Sequence, residues 1–137
     1  GAGLALLRLG RFKEAHDRLA AASNLYPDHP GINHALARIL AAAPDSSLRN
    51  GRRAKILIDR LLAAQGQTLD LGEATAMMLA ELGQFDQAVA VQSSVIEGAR
   101  RLHLPDLPDV AARLTANLHR YEQRQPCRVP FTDDELR

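Results

Sequence analysis

Apolar positions recur along this chain at spacings of three and four, and glycine or proline interrupts them at regular intervals. That periodicity places one apolar stripe on each of a series of helices. Ala15, Leu19 and Ala22 mark a helix over 13–25, which the turn Tyr26-Pro27-Asp28-His29-Pro30 breaks. Leu36, Ala37 and Leu40 mark a second over 32–43. Pro44-Asp45-Ser46-Ser47-Leu48-Arg49 reads as an inserted turn or ordered loop, and Asn50 is a good N-cap for a helix over 51–64 that Gly66 ends. Ala76 and Leu79 face the core from 71–82, which Gly83 stops, and 86–101 is its partner helix. Leu104-Pro105-Asp106-Leu107-Pro108 is a proline-broken linker. Val110, Leu114, Leu118 and Tyr121 then form the stripe of a last helix over 109–124, and 125–137 carries Pro126, Pro130 and a charged end, an irregular tail. At the other end, residues 2–9 read as the end of a helix stopped by Gly10.

The helix junctions repeat. Leu9-Gly10-Arg11-Phe12-Lys13-Glu14-Ala15 returns as Leu82-Gly83-Gln84-Phe85-Asp86-Gln87-Ala88, with a degraded copy between them at Arg49-Asn50-Gly51-Arg52-Arg53-Ala54. Ala54 and Ala88 stand 34 residues apart (88 − 54 = 34), and Ala15 and Ala54 stand 39 apart, one period plus five inserted residues. A fixed period of this length means stacked helical hairpins. Ala15, Ala54 and Ala88 should then be buried where paired helices cross.

Gly10, Phe12, Ala15, Leu19, Ala22 and Pro27 together resemble the second half of a tetratricopeptide repeat, and Gly83, Phe85, Ala88 and Val95 match the same pattern over residues 1–101. Gln92 stands where Leu19 would align and breaks that copy. The run from Leu36 through Ala54, followed by a closing helix and the stretch from Tyr121 through Pro126-Cys127-Arg128-Val129-Pro130-Phe131, is similar to the C-terminal ends of bacterial tetratricopeptide proteins. The resemblance implies an all-α, TPR-like α-solenoid of about three helical hairpins, the first truncated, with a C-terminal capping helix. It divides the chain into a repeat domain over 1–124 and an irregular tail over 125–137. The implied function is a non-catalytic scaffold that holds a protein or peptide segment in the concave groove. An accessory region of a larger enzyme with its catalytic domain upstream, and a homo-oligomerisation module, are the alternatives.

Composition narrows the partners. Hydrophobic residues make up 46% of the 137, mainly Ala, Leu, Ile and Val, while aromatics make up 4%, which suits close helix packing better than a sheet core. A formal charge of +1 gives no bulk field toward nucleic acid or an anionic membrane. The cluster Arg49, Arg52 and Arg53 lacks the interleaved aromatics that single-stranded nucleic acid stacks on, so a salt-bridged surface is expected there. Cys127 is the one cysteine, which excludes an internal disulfide and makes a cytoplasmic site the default. The chain begins without Met and in mid-helix, so it is expected to be a piece of a longer protein whose targeting signal could lie elsewhere.

Candidate chemistry is sparse. His16, His29, His34, His103 and His119 fall in different elements with no metal-ligand spacing, and no pattern supplies a base for Cys127. Neither a catalytic residue, a metal nor a cofactor is expected. Asp45, Ser46 and Ser47 should bond local backbone and fix the insertion.

The groove is what remains. The resemblance implies that the first helix of each pair lines the concave wall. Leu4, Leu7 and Arg8 then come from the first copy, His34, Arg38 and Ala41 from the second, and Asp70, Glu73, Met77 and Glu81 from the third. Arg8, His34, Arg38, Asp70, Glu73 and Met77 form the expected binding face. Arg38 would meet an acidic group of a partner, and Asp70 and Glu73 a basic one. Leu4, Ala35, Asp70 and Ala74 stand at the positions where chaperone-binding members clamp a peptide carboxylate, so that clamp is absent. Cover of the groove by further repeats missing from this sequence, or by the closing helix, is the competing expectation.

Overall fold

The computed structural model describes residues 11–102 and 108–131, and among them every regular element is helical. Six α-helices follow one another: α1 (Phe12–Leu25), α2 (Pro30–Ala42), α3 (Gly51–Gln65), α4 (Leu69–Glu81), α5 (Phe85–Arg101) and α6 (Pro108–Glu122), with a short 3-10 turn at Ser46–Leu48. The expected helix over 2–9, Gly10 and the linker residues 104–107 lie outside the described residues.

Two helices start two residues earlier than the apolar pattern predicts, and both for a capping reason. Pro30 occupies the first turn of α2, where its missing N–H costs nothing, and the His29 ring Nδ1 accepts from the Ile32 N–H at 3.1 Å. Thr68 Oγ1 accepts from the Leu71 N–H at 3.1 Å and opens α4. Gly83 follows the end of α4 at φ 80, a left-handed conformation that a side chain would strain.

Successive helices pack against each other, and α2 also lies along α4. In consequence α3 touches both α2 and α4, and α5 touches both α4 and α6. Ala15, Ala54 and Ala88 are all fully buried, as their place in the repeated junction requires. The main core gathers Leu36, Leu40, Leu57, Ile58, Leu61, Leu71, Met77 and Tyr121. Removing such a leucine or isoleucine from water contributes about 1.5–3 kcal/mol at most. At Gly72 the α4 backbone comes so near α5 that a Cβ would stand 2.6 Å from Val95 Cγ2.

The inserted stretch folds against the first helices. Asp45 Oδ1 accepts from the Ser47 N–H at 2.9 Å and from Ser47 Oγ at 2.8 Å, which closes the 3-10 turn. Leu48 is carried inward to Ala15, Ile39 and Ala43. Arg49 Nη1 donates to the Ala43 and Pro44 carbonyls at 2.8 and 3.0 Å, and the Asn50 N–H donates to the Leu40 carbonyl at 2.8 Å. Asn50 Oδ1 accepts from the Arg53 N–H at 3.1 Å, the cap expected for α3. Asn50→Ala should therefore cost about 1 kcal/mol in equilibrium urea unfolding. A loss under about 0.3 kcal/mol would mean that the cap is energetically idle.

The closing helix docks on α5. Leu114 is buried with Val95 and Ala99, and Val110 packs against them. Gln92, which breaks the apolar pattern of its repeat, is fully buried and donates from Nε2 to the Leu114 carbonyl at 2.9 Å. The polar exception in α5 is thus a receptor for the α6 backbone.

Candidate functional site

The face built by α2, α4 and α6 carries an unusual concentration of buried charge. Each residue reaches it by helical periodicity: His34 and Arg38 are one turn apart on α2, and Glu73, Met77 and Glu81 repeat every four residues on α4. α6 adds Arg113 and Tyr121. Glu73 is the centre. Its two carboxylate oxygens accept from Arg113 Nε and Nη2 at 3.0 and 2.9 Å, a bidentate pair, and Arg38 Nη2 stands 4.0 Å away. The Glu73 and Arg38 side chains are only 3% and 4% exposed.

Residues 125–131 contain neither helix nor strand, and they lie across this face. Arg38 Nε donates to the Pro130 carbonyl at 2.8 Å, and the Arg38 guanidinium stacks over the Phe131 ring at 4.4 Å from its centroid. Glu81 forms ion pairs with Arg128 and Arg49, with Oε1 2.8 Å from Arg128 Nη2 and Oε2 3.3 Å from Arg49 Nε. Cys127 joins the main core beside Tyr121. Burial pushes both the Cys127 thiol and the Tyr121 phenol up from their ordinary values, so both are neutral at physiological pH. Among the described residues the buried Tyr121 hydroxyl has no hydrogen-bond partner.

The open wall expected from the sequence is therefore corrected at three of its positions. Arg38, Glu73 and Met77 are buried, Met77 at 1% exposure, because α6 and residues 125–131 cover them. The acidic group near Arg38 is Glu73 of the same chain, and the basic group that meets Glu73 is Arg113. Asp70 is exposed and His34 half-buried. Arg8 and the other first-copy positions, Leu4 and Leu7, lie outside the described residues, as does His103. Sequence reasoning left out Arg113 and Arg128. The signal for Arg128 is present: Pro126 and Pro130 bracket an extended stretch that holds a basic residue between two apolar ones.

His34 sits between charges of both signs. Burial first, and then Arg38, depress its pKa, which Asp70 and Glu73 partly offset. Its Nε2 is buried and has no hydrogen-bond partner among the described residues. The folded state thus favours the neutral ring, and on acidification the unfolded chain takes up the proton first. Stability should fall as pH drops below the ordinary histidine value of 6.5. Urea unfolding from neutral pH to about pH 5 should show a shallower decline for His34→Gln than for the unaltered chain. Equal declines would assign the pH dependence to other groups.

The remaining histidines have local roles or none visible. His29 caps α2, His16 lies 3.0 Å from Asp17, and His119 is exposed. Among the described residues no group of three or more His, Cys, Asp or Glu is placed to hold a metal ion. No helix among them is long and apolar enough to cross a membrane. The basic trio divides: Arg49 pairs with Glu81, Arg52 is exposed and Arg53 is half-buried. Comparisons with protein-family models, curated proteins and solved structures found no match.

Proposed function

We propose that this chain is a non-catalytic protein-interaction module, a TPR-like helical solenoid whose working face is the one shared by α2, α4 and α6. One observation carries the reading. Ala15, Ala54 and Ala88 hold equivalent places in the repeated junction and are all fully buried, while α2 and α4, the first helices of successive pairs, lie side by side. That is the packing by which stacked hairpins build a continuous surface for another protein. The same reading places the module in the cytoplasm, where a lone free thiol such as that of Cys127 persists.

Affinity capture with the chain as bait tests it. Arg38 and Glu73 are unsuitable sites for surface variants because both are buried. Asp70→Arg alters an exposed charge beside His34, and Asp59→Arg alters an exposed charge on α3 as a control. A partner bound in one-to-one proportion should be lost with Asp70→Arg, kept with Asp59→Arg, and weakened by salt. Equal retention by both variants would reject this face as the working one.

A further inference from the structure

We infer that residues 126–131 are a resident stand-in for a partner, and that the face beneath them takes an extended segment of another protein with the order small apolar residue, arginine, any residue, proline, aromatic. The inference rests on the interaction-module reading and specifies what its face recognises.

The groups that meet the segment also have partners outside it. Glu81 pairs with Arg49 of the inserted stretch, and Arg38 stands 4.0 Å from Glu73, which Arg113 clamps. Partners of this kind pre-organise a surface for its occupant. The segment is attached through its side chains. Among the described residues, no backbone–backbone hydrogen bond joins 126–131 to the helices. Cys127 and Pro130 are buried, Phe131 packs on α1 and α2, and the polar ties include Arg38 to the Pro130 carbonyl, Arg38 over Phe131, and Glu81 to Arg128. Every one of these could be made equally by a segment arriving from outside.

The order of residues follows from where each one points. Cys127 is 1% exposed, so a small apolar side chain is required there. Arg128 reaches Glu81. Val129 is 42% exposed and leaves its position unspecified. Pro130 is buried and offers its carbonyl to Arg38, and Phe131 packs on Ala15, Ile39, Ala43 and Leu48. The Tyr121 hydroxyl, in the same cluster as Cys127, is buried without a hydrogen-bond partner among the described residues, a cost carried by the closed form. A segment with no backbone hydrogen bonds to the helices can open locally before the whole fold unfolds.

Two measurements on the full chain test this. Cys127 is the only thiol, so its alkylation by iodoacetamide reports opening directly. Labelling should run at least about tenfold faster than global unfolding permits, and it should be nearly insensitive to low urea. Second, a fluorescent acetyl-Pro-Ala-Arg-Val-Pro-Phe-amide peptide is titrated into the unaltered chain and into Arg128→Ala. Removing the tie to Glu81 raises the open fraction, so Arg128→Ala should bind at least about tenfold more tightly. A peptide with glutamate in place of arginine should not bind. Labelling that tracks global unfolding, or a folded Arg128→Ala chain that ignores the peptide, would overturn the inference. Concentration-dependent dimers that the peptide dissolves would overturn the choice of partner and give the face to a second copy. If the peptide fails while Asp70→Arg still abolishes capture of a partner, the stand-in idea falls and the interaction module stands.

Discussion

Glu73→Leu should destabilise this chain by about 3–5 kcal/mol, which is a large share of what holds a domain of this size together. The side chain is 3% exposed and stands between two guanidinium groups, Arg113 at 2.9 Å and Arg38 at 4.0 Å. Leucine fills the volume, so the loss is not a cavity effect. It arises because two cations stay in a poorly solvated place with their carboxylate gone. Arg38 is the more costly of the two, with 4% side-chain exposure against 14% for Arg113. Its ties to the Pro130 carbonyl and the Phe131 ring involve groups without a full negative charge. Chemical denaturation of the variant beside the unaltered chain measures the effect. A change below about 1 kcal/mol would mean that water reaches the pair freely, as it does in exposed ion pairs. Restoring neutrality by replacing Arg38 and Arg113 with apolar residues as well should recover much of the loss, because a buried ion network and a packed apolar cluster of similar volume are often nearly equal in stability.

Ala88→Arg should be comparably damaging, by more than about 3 kcal/mol. Ala88 is fully buried in the main core, where α5 meets its neighbours. A longer side chain must displace packed neighbours, and the guanidinium meets no counter-charge. Ala90→Arg, two residues on and exposed, is the control and should stay within about 0.5 kcal/mol. Thermal unfolding of both variants decides the matter: equal midpoints would put the repeated junction in the wrong register.

These two residues differ in how legible they were. Ala88 is readable because its information is local. A small residue fixed relative to Gly83 and Phe85 recurs at Ala15 and Ala54, and helix crossing gives the reason. Asn50 is readable on the same ground, since a cap acts on the next turn of its own helix. Glu73 is not. Periodicity puts it correctly on the face of α4 toward α2, but whether that face is wet depends on what arrives from elsewhere in the chain. The contact that buries Arg38 comes from a residue 92 positions away. No pattern within one helix carries that. Gln92 shows the same limit in reverse. As a break in the apolar pattern it looks like decay of the repeat, yet it is matched to the Leu114 carbonyl of a helix that begins sixteen residues later, at Pro108.

The tie between Arg38 and Pro130 also has a consequence for how the chain is made. In a plain stack of repeats each hairpin meets only its neighbours, so the structure can be completed piece by piece as it emerges during synthesis. Here α2 is made well before Pro130 and Phe131, and its charged face waits for them. In the interval the nascent chain displays Arg38 to the cell, and Pro130 and Phe131 are the residues that withdraw it.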